Sequence, residues 1–179
     1  MRRFPLVLLT LLALLALASA PAALAQHDHS MPAAKAPNAS FEKLKSLEGT
    51  WTGKAGTKGG ESSESSVTYK LTGGGSALVE TLFPGTPHEM VTVYYVDGAD
   101  LRLTHYCAAG NQPSMKLAGT EGNTMRFEFV SGTNMKLTDM HMHAASIRFV
   151  DANHVVAEWT AWRDGKPSEV AVFDLTRNP

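Results

Sequence analysis

Hydrophobic and polar residues alternate with a period of two over most of the chain beyond Gly49. The clearest case is T-M-R-F-E-F-V, residues 124–130, in which Met125, Phe127 and Phe129 alternate with charged residues. In a β-strand successive side chains point to opposite faces, so this pattern predicts a strand with one buried face.

The same period predicts nine further strands, and two Asp-Gly pairs mark tight turns between them. Asp97-Gly98 and Asp164-Gly165 each join two predicted strands into a hairpin. About nine or ten short strands with regular turns are typical of an all-β sandwich or a closed barrel. The further strands are predicted at 50–55, 67–71, 76–83, 90–96, 101–107, 114–118, 144–150, 154–162 and 169–177.

Two segments near the first strand have a different pattern. Apolar residues at helical spacing predict a short amphipathic helix over 41–47, with Ser40 as its N-cap and Gly49 after its end. The segment 56–66, G-T-K-G-G-E-S-S-E-S-S, has no apolar anchor, and we expect a mobile connection there.

The N-terminus has the three-part layout of a secretory signal. Two arginines precede an apolar run over 6–17, and small residues end in Ala23-Leu24-Ala25. We therefore expect a signal peptide over 1–25, a flexible leader over 26–39 and a barrel domain over 40–179. The protein is expected to be periplasmic or secreted, with no membrane association after cleavage.

The charge of the chain argues against nucleic-acid binding, and its cysteine content excludes an internal disulfide. The 16 basic residues of the chain less the two arginines of the signal leave 14 against 17 acidic residues, without a basic cluster. A nucleic-acid partner is therefore not expected. Cys107 is the single cysteine, so packing alone must hold the exported domain together.

Two residues at the ends of the predicted domain narrow the fold. The short helix leads into Gly49-Thr50-Trp51, and Arg177 lies on the last strand. This combination resembles the calycin superfamily, which includes lipocalins, fatty-acid-binding proteins and nitrobindin-like haem barrels. The resemblance implies a closed antiparallel up-and-down β-barrel, in which Trp51 closes one end and the guanidinium of Arg177 packs across its ring.

Longer segments are similar to a family of exported bacterial barrels of unassigned function. This resemblance implies no activity. The segments are E-G-T-W (48–51), G-S-A-L-V-E-T-L-F-P-G (75–85), M-V-T-V-Y (90–94) and T-H-Y-C-A-A-G-N-Q-P (104–113).

The stretch T-D-M-H-M-H-A-A-S, residues 138–146, contains the most unusual chemistry. If Ile147 and Phe149 face the interior, every second residue before them faces the same way, which turns His141 and His143 inward. A continuous strand from 135 to 150 would exceed the usual length, so a bend or bulge near Asp139 or Ala144 is the alternative. One extra residue would reverse the parity and turn Met140 and Met142 inward instead.

These parities predict a cavity whose wall is mainly apolar, with a few orienting polar groups. Such a lining is typical of a site for a small, mainly apolar ligand, and the expected function is an exported ligand-binding protein. The predicted ligand-binding residues are Tyr95, Leu103, His105, Cys107, Met115, Phe127, Phe129, His141, His143 and Trp159.

A metal or haem site is the alternative interpretation of the same residues. Imidazole and sulfur suit copper or zinc, and His105, His141 and His143 are the candidate ligands. The leader adds H-D-H-S-M over 27–31. The candidate cofactors are thus copper, zinc or haem. No nucleophile, paired carboxylates or nucleotide-binding motif is evident, so the sequence favours a binding protein over an enzyme and assigns no catalytic residue.

Overall fold

The computed structural model describes residues 37–179, and in this part of the chain ten strands close into one barrel. Each strand pairs antiparallel with the next, and the first pairs with the last. The predicted closed up-and-down β-barrel is therefore confirmed. The strands are β1 (Gly49–Thr57), β2 (Ser62–Thr72), β3 (Ala77–Leu82), β4 (Met90–Asp97), β5 (Asp100–Tyr106), β6 (Gln112–Glu121), β7 (Thr124–Thr133), β8 (His141–Phe149), β9 (His154–Arg163) and β10 (Lys166–Arg177).

One short helix, α1 (Ala39–Lys45), precedes the barrel. It begins earlier than predicted, because the side chain of Asn38, not that of Ser40, caps it by accepting a hydrogen bond from the Phe41 N–H at 3.0 Å. No helix of the described residues is long and apolar enough to cross a membrane. The predicted signal peptide and most of the predicted leader lie outside the described residues.

The connection between β1 and β2 is shorter than predicted. Most of the Gly- and Ser-rich segment is strand, and only residues 58–61 connect β1 with β2. Gly56 pairs with Ser62 and Ala55 with Ser63. Backbone hydrogen bonds can pair two strands without any apolar side chain. The composition of this segment therefore did not reveal that it is strand.

The end of the barrel next to α1, termed the closed end, is sealed by Trp51 and Arg177. These residues are register partners on β1 and β10, and the Arg177 guanidinium lies 4.3 Å from the Trp51 ring centroid. Arg177 also donates to the carbonyls of Ser46 and Glu48. The Trp51 indole donates to the Leu47 carbonyl at 2.7 Å. The predicted packing of Arg177 across Trp51 is present, and it ties α1 to the barrel.

Most of the barrel interior is filled by side chains from every strand. Alternate residues are buried, including Val67, Leu78, Leu103, Met115 and Phe127, all essentially inaccessible to solvent. This dense filling confines free space to the other end of the barrel, termed the open end.

Gly53 on β1 lies against the backbone of β10, with no room for a side chain. A Cβ atom added at Gly53 would lie 2.1 Å from the backbone oxygen of Asp174, so any side chain must push the two strands apart. By contrast, a Cβ at Gly119 on β6 would meet nothing within 4 Å.

We therefore expect Gly53→Ala to lower the free energy of unfolding by about 2–3 kcal/mol, because overpacking forces the backbone to shift. Gly119→Ala is the matched control and should change it by less than about 0.5 kcal/mol. Urea unfolding followed by fluorescence would measure both, and equal midpoints for the two variants would contradict the expectation.

Candidate functional site

A row of four polar side chains crosses the inner wall of the barrel on β2 to β5. Tyr69 pairs with Glu80, Glu80 with Thr92, and Thr92 with His105, so the register itself aligns them. All four are at most 2% exposed. We call this set the polar row.

Glu80 is the centre of the polar row. Its Oε1 accepts a hydrogen bond from the Tyr69 hydroxyl at 2.7 Å, and its Oε2 accepts one from the Tyr94 hydroxyl at 3.0 Å. Burial raises the pKa of Glu80, and hydrogen bonding, first of all from Tyr69, opposes that rise.

Both tyrosines remain protonated donors over the physiological pH range. Burial, followed by the charge of Glu80, raises the pKa of Tyr69 and of Tyr94 well above their ordinary value. Hydroxyl donors at both oxygens compensate in part for placing the carboxyl group of Glu80 inside the barrel.

His105 ends the polar row and contacts the opposite wall. Its Nδ1 lies 3.0 Å from the Thr92 hydroxyl, and its ring lies 4.8 Å from that of Trp159 at an angle of 37°. Burial lowers the pKa of His105 to about 4, so the ring is neutral at pH 7. Nε2 of His105 and Nε1 of Trp159 are buried without a hydrogen-bond partner. Such unpaired groups cost about 1–3 kcal/mol each.

A small cavity of about 80 Å³ lies beside these two rings, towards the open end. Its mouth is formed by half-buried side chains, among them Phe83, Met90 and Met142. Phe83 has φ 53°, a conformation that is costly for a bulky residue, and its ring lies 5.5 Å from that of Phe173. The cavity is lined by Leu82, Phe83, Met90, His105, Met142, Trp159, Ala171 and Phe173.

A β-bulge at His143 decides which residues of β8 reach this cavity. Met142 pairs with Ala161 and Ala144 with Thr160, which leaves His143 as the extra residue. The predicted inward parity of His141 and His143 is therefore wrong, and the alternative parity applies, with Met142 at the cavity.

His141 and His143 form a separate cluster, the histidine pair, where β7 and β8 separate. The His143 ring stacks on Trp162, with centroids 3.8 Å apart, and on Phe129 at 4.8 Å. An imidazole has two faces, so the two aromatic rings occupy one each. Although it faces away from the cavity, His141 is fully buried.

Hydrogen bonds fix the protons of the histidine pair. Nδ1 of His141 lies 2.8 Å from the Asp139 carbonyl, which can only accept, so Nδ1 carries a proton. Nε2 of His141 lies 2.9 Å from Nδ1 of His143, so one of these two nitrogens donates to the other. Burial, and secondarily His141, lowers the pKa of His143, while Glu128 acts in the opposite direction.

The three predicted metal ligands do not converge. His105 lies inside the barrel, whereas the histidine pair uses its facing nitrogens for one another. Among residues 37–179, no group of three or more His, Cys, Asp and Glu side chains is placed to hold a metal ion.

The other predicted site residues are distributed over three places. Leu103, Met115 and Phe127 are buried in the filled part of the interior. Cys107 follows the end of β5 and is half-buried in the connection to β6. Tyr95 was expected to face inward, but it pairs with Arg102 on the outward face of the barrel wall.

The neighbour of Tyr95, Tyr94, faces inward instead. Tyr94 pairs with buried Leu103 and is itself fully buried. Because two tyrosines are adjacent in this strand, hydrophobicity could not decide between them.

Sequence reasoning also missed Glu80, although a signal was present. Glu80 alternates with Leu78 and Leu82, both buried, so period two places it on the inner face. A charged residue on that face has to be paired, and the hydroxyls of Tyr69 and Tyr94 are its partners.

We expect His105 to make the protein less stable in acid. Its folded pKa of about 4 lies below the unfolded value of 6.5, so the unfolded chain binds the proton more readily. The stability that is present above pH 6.5 is therefore lost as the pH falls towards 4. Between pH 7 and pH 5 the free energy of unfolding of wild type should fall by about 2 kcal/mol more than that of His105→Gln.

Urea unfolding at both pH values would measure this difference. Glu80 changes the free energy of unfolding with pH in the opposite direction, because its pKa is raised. Since Glu80 is present in both proteins, the comparison between them still isolates His105. His88→Gln, at an exposed position, is the control and should follow wild type. Parallel losses in wild type and His105→Gln would contradict the assignment.

Comparison with known proteins supports the fold. No protein-family model matches the chain, and no curated protein matches it. A solved structure similar to it is a protein of unknown function from the DUF3598 family of Nostoc punctiforme, with a TM-score of 0.52 and 11% identity. The match covers 75% of this chain and 48% of that chain, so this chain spans about half of that neighbour's length. At this identity the likeness shows a β-barrel fold alone.

Proposed function

We propose that the protein binds a small, mainly apolar ligand in the cavity beside His105 and Trp159. The observation that carries this proposal is a largely apolar cavity at the open end, next to two buried nitrogens without partners. Filling the cavity removes apolar surface from water, and the barrel supplies a rigid frame around it. The sequence resemblance to calycins and the predicted secretory signal favour a ligand-binding protein outside the cytoplasm.

The size of the cavity limits the ligand. About 80 Å³ is well below the ~300–1,000 Å³ of sites for drug-sized molecules. An engineered apolar cavity of ~150 Å³ binds benzene. A molecule of that size would reach into the mouth, where the flexible Met90 and Met142 side chains can adjust. Fatty acids, retinoids and haem are too large for this cavity.

A wider cleft of about 480 Å³ lies on the outside of the barrel along β1 and β10. Lys58 and Glu158 line it and form an exposed ion pair at 3.0 Å. Water and salt screen such charges, and glycines provide much of the remaining surface. The cavity therefore supports ligand binding better than this cleft.

A saturable interaction with a small aromatic probe would test the proposal. We expect toluene to bind with a Kd of roughly 0.1–1 mM, as is typical of small apolar ligands. Binding should shift the indole N–H resonance of Trp159, which lines the cavity. Ala171→Leu fills the cavity and should weaken binding at least about tenfold, whereas exposed Ala118→Leu should not. Equal binding to both variants would refute the proposed site.

A soft metal ion is the second candidate, because the thioethers of Met90 and Met142 line the same cavity as the neutral His105 ring. Thioether and imidazole together suit Cu(I). Competition with a Cu(I) chelator would test it in the untagged protein. We expect Met142→Leu to raise the Kd at least about tenfold, and Met135→Leu, which lies away from the cavity, to leave it unchanged. An unchanged Kd in Met142→Leu would remove this candidate.

A further inference from the structure

A second space of about 390 Å³ lies inside the open end of the barrel, beside β10, β1 and β2. Its lining includes Ala55 and Phe173, which are buried register partners on the inward faces of β1 and β10. We call this space the vestibule. The cavity of about 80 Å³ beside His105 and Trp159 is the inner cavity.

The vestibule and the inner cavity share one wall. Phe83, Ala171 and Phe173 line both spaces. Because Ala171 carries only a methyl group, the wall consists mainly of the rings of Phe83 and Phe173, whose centroids are 5.5 Å apart. Turning one ring aside would join the two spaces. The joined space lies within the ~300–1,000 Å³ of sites for drug-sized molecules.

Phe83 is the movable half of this wall. Phe173 is 4% exposed and lies on β10, which is paired on both sides with β1 and β9. Phe83 is half-buried and directly follows β3, in the connection to β4. Its φ of 53° is strained for a bulky residue, and such strain persists only where the surroundings hold it. One ring is thus fixed by the sheet, and the other lies on a strained turn.

The two spaces differ in chemistry. The inner cavity is bounded largely by apolar side chains. Thr57, Ser62 and Ser63 place hydroxyl groups around the vestibule. A hydroxyl group can donate and accept hydrogen bonds, so these residues suit a polar group of a ligand that does both.

The charge around the vestibule is negative. Of the described residues that line it, Glu61 alone is charged. The lysines nearest in sequence are paired elsewhere, Lys58 with Glu158 and Lys54 with Glu64. An anionic group in the vestibule would therefore face a like charge without a free cation to balance it.

We infer that Phe83 turns aside to admit an uncharged amphipathic molecule of the class of medium-chain alcohols. Its chain reaches the inner cavity, and its hydroxyl stays among the hydroxyl groups of the vestibule. The inference rests on the proposed function and adds the class of the ligand and its route of entry. Each further methylene group that is buried raises the affinity roughly threefold to fourfold, which favours a ligand that occupies both spaces.

1-Octanol and octanoate test the ligand class, because they have the same number of carbon atoms and differ in charge. We expect calorimetry on the full chain at pH 7 to show 1-octanol binding at least about threefold more tightly, a modest factor because Glu61 is exposed. Glu61→Gln should reduce this ratio. Glu64→Gln, which removes an exposed partner of Lys54, is the matched control and should preserve it.

Equal or tighter binding of octanoate by wild type would overturn the ligand class. A ratio that Glu61→Gln leaves unchanged would overturn it as well.

Toluene and 1-octanol together test whether the two spaces form one site. Toluene reports on the inner cavity, whereas 1-octanol extends into the vestibule. Ser63→Leu narrows the vestibule, so it should weaken binding of 1-octanol at least about tenfold and leave the Kd of toluene unchanged. If toluene binds and Ser63→Leu leaves the Kd of 1-octanol unchanged, the joined site is wrong and the proposed function stands. If neither probe binds wild type, both fail.

Phe83→Gly tests the route of entry. Glycine adopts a positive φ without strain, so this variant should keep the fold while it removes the ring. We expect the association rate constant of 1-octanol, followed by tryptophan fluorescence in stopped flow, to rise at least about tenfold. Met90→Ala shortens another side chain of the inner cavity and should change the rate constant less than about twofold. An equal rise in both variants, or no rise in Phe83→Gly, would overturn the role of Phe83.

Discussion

A carboxylate inside a barrel has to be surrounded by hydrogen-bond donors, and Glu80 imposes this constraint on its neighbours. Burial in an apolar interior carries a penalty of several kcal/mol that good hydrogen bonds offset only when every acceptor is used. Tyr69 and Tyr94 supply those bonds from the two adjacent strands. The Thr92 hydroxyl, next in the polar row, bonds Nδ1 of His105.

The two ends of the barrel serve different purposes. At the closed end, Trp51, Arg177 and the Leu47 carbonyl satisfy one another and fasten α1 to the first and last strands. At the open end, Phe83 adopts a strained conformation and methionines form a deformable mouth. The hydrogen-bonded closed end thus contrasts with an open end that carries a strained backbone and unpaired polar groups.

The bulge at His143 changes the chemistry of the cavity. It replaces two imidazoles on the inner wall with the single thioether of Met142. The displaced histidines find partners in one another, in the Asp139 carbonyl and in the rings of Phe129 and Trp162. The cavity is consequently more apolar than a continuous strand would have made it, and His105 is the only one of the three histidines at its wall.

Local alternation by itself determined the strands, their hairpin turns and the inward face of most of them, because a period of two needs only neighbouring residues. The terminal Trp and Arg indicated how the barrel closes. The face of Glu80 was left undecided, although Glu80 alternates with Leu78 and Leu82. Alternation did not predict the inward residue at the adjacent tyrosines of β4, because both side chains are aromatic. It also failed at His143, where one extra residue reverses which side chains of β8 face inward. The tertiary structure alone decided the size of the cavity and the contact of His105 with Trp159. Both depend on side chains that approach each other across the barrel from strands far apart in the chain.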